Sequence, residues 1–249
     1  MLQKNSFLWH TVNTTKRLVY SKIMPSLIVL EHPKYRGTWL SQMLTELTDF
    51  EFPKNKTPRL QRNIYHSHRL ELLKKGSTIF LTRDPRDMVI SQFYYLSRVN
   101  NKYNSRIHRR FVSRFSDIKD INDPGDLTKF IDVSFNVKPH GYSWTDFVDQ
   151  LIDQPKVSII RYEDLLNEPE MALSTTLAKL GIDFSPDKLS QVVERNSFQS
   201  LTGRRPGNEV QNDFLRKGIV GDHKNNFHTE HYKKMEKYCG KYLKRLAYE

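Results

Sequence analysis

Cysteine is almost absent from the 249-residue sequence, with Cys239 as its only instance. One thiol can neither close an internal disulfide nor supply a cysteine-based zinc site, so the chain reads as a protein of a reducing, cytoplasmic compartment. Long apolar runs are missing as well. None approaches the ~20 residues of a membrane span, and the N-terminal stretch lacks the apolar core of a secretory signal. There is no internal repeat, no low-complexity tract and no G-x-x-x-x-G-K-[ST] phosphate loop. Acidic residues are outnumbered: 28 Asp and Glu stand against 40 Lys and Arg, a formal charge of +12. That balance implies an anionic partner, whether nucleic acid, a membrane surface, an acidic polymer or a multiply charged cofactor. The charge is spread along the chain rather than gathered in a tail, which weighs against nucleic acid. The length suits a single α/β domain with a sizeable core, taken here as residues 1–249.

What is present is organised around SLIVLEHPKYRGTWLSQMLTEL, from Ser26 to Leu47. Leu27–Leu30 is a short apolar run suited to a buried parallel strand. Pro33, Lys34, Arg36 and Gly37 break it. From Thr38, the residues Trp39, Leu40, Met43, Leu44 and Leu47 recur at helical spacing. Strand, basic turn and helix in that order aim the free N–H groups of a helix start at the turn, which suits a phosphate. Lys34 adds a movable positive charge. An ordinary strand-to-helix connection with a solvated lysine would look similar, so the downstream residues carry the decision.

Met1–Pro25 reads as a polar lead-in packed on the domain, and Phe50–Leu60 as a loop. Asn63–Tyr65 is a short strand candidate ending at His66-Ser67-His68. Two histidines at i, i+2 share one face of an extended segment. They could be half a metal site, but the sequence shows no matching cluster; solvated loop histidines or a general base are the other readings. Ser77–Thr82 is a second buried strand, running into a helix over Arg86–Ser97 with Asp84 as cap and Pro85 in its first turn. Arg83 at the strand end and Ser91 on that helix could converge on one anion, or Arg83 could pair with Asp84 or Asp87. Asn100–Gly125 lacks a period, with some helix expected around Arg109–Phe115. Helices are expected over Leu127–Val133 and Tyr142–Ile152. A third buried strand is expected at Val157–Ile160, with Asp164 capping a helix after it. Two more helices are Pro169–Leu180, closed by Gly181, and Pro186–Arg195, entered from Ser185. Asn196–Phe227 reads as a long functional loop and His228–Tyr248 as the terminal helix.

Four stretches fall in a telling order. HPKYRGTWL resembles the 5′-phosphosulfate loop of sulfotransferases, usually P-K-S-G-T-T-W. LTRDPRDMVISQFYY resembles their 3′-phosphate segment, RYEDLLNEP their Tyr-Glu-Asp segment, and LRKGIVGDHKNNF is similar to R-K-G-x-x-G-D-W-K-N-x-F. The resemblance runs from Leu27 to Phe227. It implies a central, mainly parallel sheet with helices on both faces, the phosphate-loop-like, nucleotide-kinase-like sulfotransferase fold. It further implies transfer of a sulfuryl group from 3′-phosphoadenosine 5′-phosphosulfate (PAPS) to a hydroxyl or amine, leaving adenosine 3′,5′-bisphosphate (PAP). By matching position, the backbone of Tyr35, Arg36, Gly37 and Thr38 would cradle the phosphosulfate and Lys34 would stabilise the leaving phosphate. Trp39 and Tyr162 would border the adenosine, and Phe198 would stack on its base. Arg83, Ser91, Arg216, Lys217 and the Gly218 backbone would hold the 3′-phosphate. His68 would deprotonate the acceptor, with His66 its rival. No metal is expected at the leaving group, where lysine and helix N–H groups would do that work. Arg36 and Gly37 depart from the usual loop, and His223 replaces the usual Trp. The expected partner is a small-molecule or carbohydrate acceptor, with no nucleic acid and no membrane span; a homodimer is compatible with the sequence. The alternatives are a small-molecule kinase, for which the lysine-serine pair and a magnesium carboxylate are missing, and a nucleic-acid-binding protein using Arg106–Phe115.

Overall fold

The computed structural model describes residues 7–33, 36–54, 56–73, 76–99, 118, 120–138, 141–211 and 213–248, with backbone alone at 7–10 and 97–99. In chain order the elements are α1 (Phe7–Ile23), β1 (Ser26–Glu31), α2 (Gly37–Leu47), β2 (Asn63–Ser67), β3 (Ser77–Thr82), α3 (Pro85–Val99), α4 (Pro124–Asn136), α5 (Trp144–Leu151), β4 (Val157–Arg161), α6 (Tyr162–Asn167), α7 (Pro169–Lys179), α8 (Pro186–Arg195), α9 (Phe198–Thr202) and α10 (Thr229–Arg245). Short 3₁₀ turns occupy Leu70–Leu72 and Asp222–Asn225. They form two compact units, Met1–Thr82 with Gln154–Ser197, and Arg83–Asp153 with Phe198–Glu249.

The first unit holds the sheet. Its order is β2-β1-β3-β4, and every neighbouring pair is parallel. All six residues of β1 are buried, and its apolar run Leu27–Leu30 is what a strand between two parallel neighbours requires. The register pairs Val29 with His66 and Leu30 with Ser67, so the end of β1 meets the end of β2. Helix α2 turns Leu40, Met43, Leu44 and Leu47 inward and packs on β1 and β2, while α7 packs on β4. The parallel sheet flanked by helices is the architecture expected from the sequence.

The second unit is built on aromatic packing. Trp144 is fully buried, with the rings of Phe135 and Tyr242 edge-on to it at 5.6 and 5.3 Å. Helix α10 lies along α4. Within α10 the Cys239 Sγ donates to the Met235 carbonyl at 3.1 Å, and burial pushes this thiol far up from its ordinary pKa.

Several elements differ from expectation. The lead-in is the helix α1; its apolar residues form no continuous buried stripe, since Val19 and Ile23 are exposed, and the periodic signal is correspondingly weak. Asp164 does not cap a helix. β4 runs straight into α6, which starts at Tyr162, and Asp164 in its first turn accepts from the Arg161 Nε at 2.8 Å. The stretch Asn196–Phe227 is not a plain loop but contains α9 and the turn Asp222–Asn225, held by local side-chain bonds that leave no periodic trace. Asp84, by contrast, accepts from the Arg86 N–H at 2.9 Å as a cap should, and Gly181 closes α7 at φ +61°. Lys34, Tyr35, the 100–117 stretch with its expected helix at Arg109–Phe115, and Pro139-His140 lie outside the described residues. Among the described residues no helix is long and apolar enough to cross a membrane.

Candidate functional site

In the first unit the chemistry gathers where β1 and β2 end. Parallel pairing and the two-residue alternation of side chains put Glu31, His66 and His68 together at that end. The Glu31 carboxylate is buried. Its Oε1 lies 2.7 Å from the His66 Nε2 and 3.8 Å from the His68 Nδ1, and its Oε2 accepts the Gly37 N–H at 2.6 Å. Burial alone would raise its pKa. The charge and hydrogen bond of His66, then the charge of His68 and the Gly37 N–H, outweigh this and hold it below the ordinary carboxylate value. The two imidazoles stand 5.0 Å apart at 82°. The His68 Nδ1 is also 3.1 Å from the Glu31 carbonyl oxygen. A carbonyl only accepts, so Nδ1 is the donor in this contact, and the neutral form of the ring that keeps it has its lone pair on Nε2.

The turn into α2 is built around Arg36, which has φ 79° and ψ 28° and caps the helix without a side-chain bond. The left-handed region favours glycine, and the glycine of this chain stands one place later. Gly37 is needed for space instead. A Cβ there would lie 2.5 Å from the His66 Nε2 and 2.8 Å from the Glu31 carboxyl carbon. Its N–H, expected to face an incoming anion, is held by Glu31 in this structure. Thr38 follows at the second position of α2. Trp39 donates from Nε1 to the Asn196 carbonyl at 2.8 Å, and its ring lies edge-on to Tyr162 at 6.1 Å. Two of the residues expected at the adenosine are thus adjacent.

The second unit gathers the other expected residues. Arg83 precedes the first turn of α3 and Ser91 lies on that helix; Arg83 is near enough to Asp87 for its charge to help hold that carboxyl down. Asp87 accepts from the Gly221 N–H at 2.7 Å, the His223 N–H at 2.9 Å and the His223 Nδ1 at 2.8 Å. It therefore ties the Gly221–His223 turn to α3. Arg216 donates to Glu209 at 2.7 Å and to Asp222, and its guanidinium lies 4.1 Å from the centre of the Tyr94 ring. Lys217 donates to Asp222 at 2.6 Å. Gly218, at φ +65°, lies so close to Phe198 that a Cβ would meet its ring at 2.3 Å, and the Arg204 guanidinium sits 5.2 Å from the centre of the same ring.

The sequence offered Asp87 only as a partner for Arg83, and did not mark Glu31, Glu209 or Asp222 as parts of these clusters. The statement that no carboxylate matches the histidine pair is corrected by Glu31, which is 35 residues from His66 in the chain. One signal was available. A carboxylate ending an otherwise apolar buried strand must find a partner, and the His-x-His strand was a candidate neighbour.

The sulfotransferase domain family matches residues 8–247, and the chain belongs to that family. The match takes in most of both units. Sulfotransferase 2B1 of Rattus norvegicus is 26% identical over 219 residues, covering 82% of this chain and 58% of that protein. Sulfotransferase 1E1 of Mus musculus is 26% identical over 186 residues, covering 67% of this chain and 57% of the relative. The chain thus spans a little under three fifths of the length of these relatives. Among solved structures, mouse sulfotransferase SULT7A1 complexed with PAP aligns with a TM-score of 0.63 at 17% identity, over 94% of this chain and 91% of the other. A retinol dehydratase in complex with retinol and PAP aligns at 0.57 and 15% identity, over 96% and 86%. These two likenesses establish the shared fold.

Proposed function

We propose that the protein is a PAPS-dependent sulfotransferase acting on a hydroxyl or amine of a small-molecule or carbohydrate acceptor in the cytoplasm. The S–O bond to the donor's 5′-phosphate breaks as the acceptor's oxygen or nitrogen bonds to sulfur, and PAP departs. The acceptor's proton goes to the Nε2 of His68. The observation that carries this reading is the contact between the His68 Nδ1 and the Glu31 carbonyl at 3.1 Å, which supports Nε2 as the nitrogen that takes the proton in a neutral ring. Family membership supplies the reaction class, and the PAP bound in related structures supplies the donor class. In the first unit, Lys34 would stabilise the departing phosphate beside the backbone of Tyr35, Arg36 and Thr38. Gly37 would add its N–H only on release from Glu31. Trp39 and Tyr162 would border the adenosine. In the second, Arg83, Ser91, Arg216, Lys217 and the Gly218 backbone would take the 3′-phosphate, with Phe198 on the base. Arg216 and Lys217 now share their charge with Glu209 and Asp222, so a phosphate there must compete with or join two carboxylates.

PAP should raise the melting temperature of the native chain, and Arg216→Ala with Lys217→Ala should remove that shift. His68→Ala should lower kcat by about 10²–10⁴-fold, the usual range for a lost general base, while retaining the PAP shift. Near-normal turnover in His68→Ala, with loss in His66→Ala, would move the base to His66.

A further inference from the structure

We propose that Glu31, His66 and His68 form a binding site for a divalent transition-metal ion of the zinc class. One ligand atom from each residue lies within 4.8 Å of the other two, and among the described residues no other such group of three occurs. Around Zn²⁺, with bonds of about 2.0–2.2 Å, tetrahedral neighbours stand roughly 3.3 Å apart. The His66 Nε2 and Glu31 Oε1 are 2.7 Å apart and the His68 Nδ1 and the same oxygen 3.8 Å, so one pair opens and the other closes, each by about half an ångström. The near-perpendicular imidazoles, at 82°, can direct both nitrogens to one point without overlapping. Two imidazoles and a carboxylate are a zinc donor set rather than one for magnesium or calcium. The Gly37 N–H on the other carboxylate oxygen is the outer support that keeps a ligating carboxylate oriented. Glu31 is buried, and the histidine side chains are 16% and 29% exposed, which gives an ion a route in and water the fourth position.

The site has a chemical consequence that rests on the sulfotransferase reading. A neutral imidazole carries one ring proton. A metal on the His68 Nδ1 requires that nitrogen to give up its hydrogen bond to the Glu31 carbonyl, and the ring proton then sits on Nε2, where it occupies the lone pair assigned to the acceptor. The metal-loaded chain therefore has no base at His68, and the ion acts as an inhibitor rather than a cofactor.

The test uses the full chain without a histidine tag, since its nine histidines already offer weak adventitious sites. One Co²⁺ per chain should bind with the strong visible absorption of a four-coordinate ion, and one Zn²⁺ should displace it. X-ray absorption of the zinc form should show two imidazole ligands. Glu31→Gln, His66→Gln and His68→Gln should each weaken Zn²⁺ binding by about tenfold or more. Absence of stoichiometric binding, a spectrum with fewer than two imidazoles, or affinity unchanged in all three variants would overturn the site. The spectrum is taken on the native chain, so it decides even if a variant does not fold. None of these measurements needs donor or acceptor, so they fail or succeed independently of the proposed activity. With a working acceptor, Zn²⁺ should suppress turnover and a chelator restore it; undiminished turnover at full occupancy would overturn the inhibition.

Discussion

Two buried carboxylates, Glu31 and Asp87, hold parts of the chain together by accepting backbone N–H groups along with imidazole nitrogens. Burial works against the charge on each, and the donors more than compensate. For Asp87 the result is a pKa of about 2 against an ordinary 3.8. A folded value below the unfolded one adds stability above the unfolded value, and this is lost as pH falls through the folded one. Asp87 therefore contributes about 2 kcal/mol at neutral pH that drains away between roughly pH 4 and 2. Denaturant unfolding of native chain and Asp87→Asn should show the variant weaker by about that amount at pH 6, with the gap narrowing toward pH 3. A gap independent of pH would show that the Asp87 charge is not what matters. Little of this was legible beforehand. Asp87 and His223 are 136 residues apart, and no local pattern in the chain announces a partner at that distance. Arg36 is a different case. The displaced glycine was visible in the sequence, and the structure gives its meaning: a left-handed residue with a Cβ, at a cost of about 1–2 kcal/mol.

At the scale of elements, legibility follows the origin of the order. The inner strands β1 and β3 were readable because a strand buried on both faces needs an unbroken apolar run and turn residues close it, whereas the edge strand β2, Asn63–Ser67, offered only a short candidate at Asn63–Tyr65. Ser77–Thr82 and Pro186–Arg195 have the expected bounds, and the other ends move by a few residues. α1 and α9 were missed because neither presents a clean apolar stripe. Helix α5 shows what a well-marked start contributes. Ser143 accepts from the Asp146 N–H at 3.2 Å and the Asp146 carboxylate accepts from the Ser143 N–H at 3.0 Å, a reciprocal cap just before the fully buried Trp144. Ser143→Ala should lower unfolding free energy by about 1 kcal/mol, and Ser143→Asp should recover most of it. Equal loss in both variants would place the role of Ser143 in packing instead.

For the whole molecule, the excess of 40 basic over 28 acidic residues is the property most easily read from composition. It favours an anionic ligand before any contact forms. If PAP is that ligand, its stabilisation of the chain should shrink steadily as salt rises, since the screening length falls to about 10 Å at 0.1 M. Uncharged adenosine should show no such trend in the same thermal-shift series. A PAP shift insensitive to salt would mean that shape, not charge, dominates recognition. The reaction class, unlike the charge, required four separated stretches to be read together.

Cys239 gives the chain a built-in clock. With its sulfur enclosed in α10 and its thiol reluctant to ionise, a disulfide reagent must wait for that helix to part from its surroundings. The rate at which one equivalent of colour appears therefore times the opening of the C-terminal helix, without any label having to be introduced.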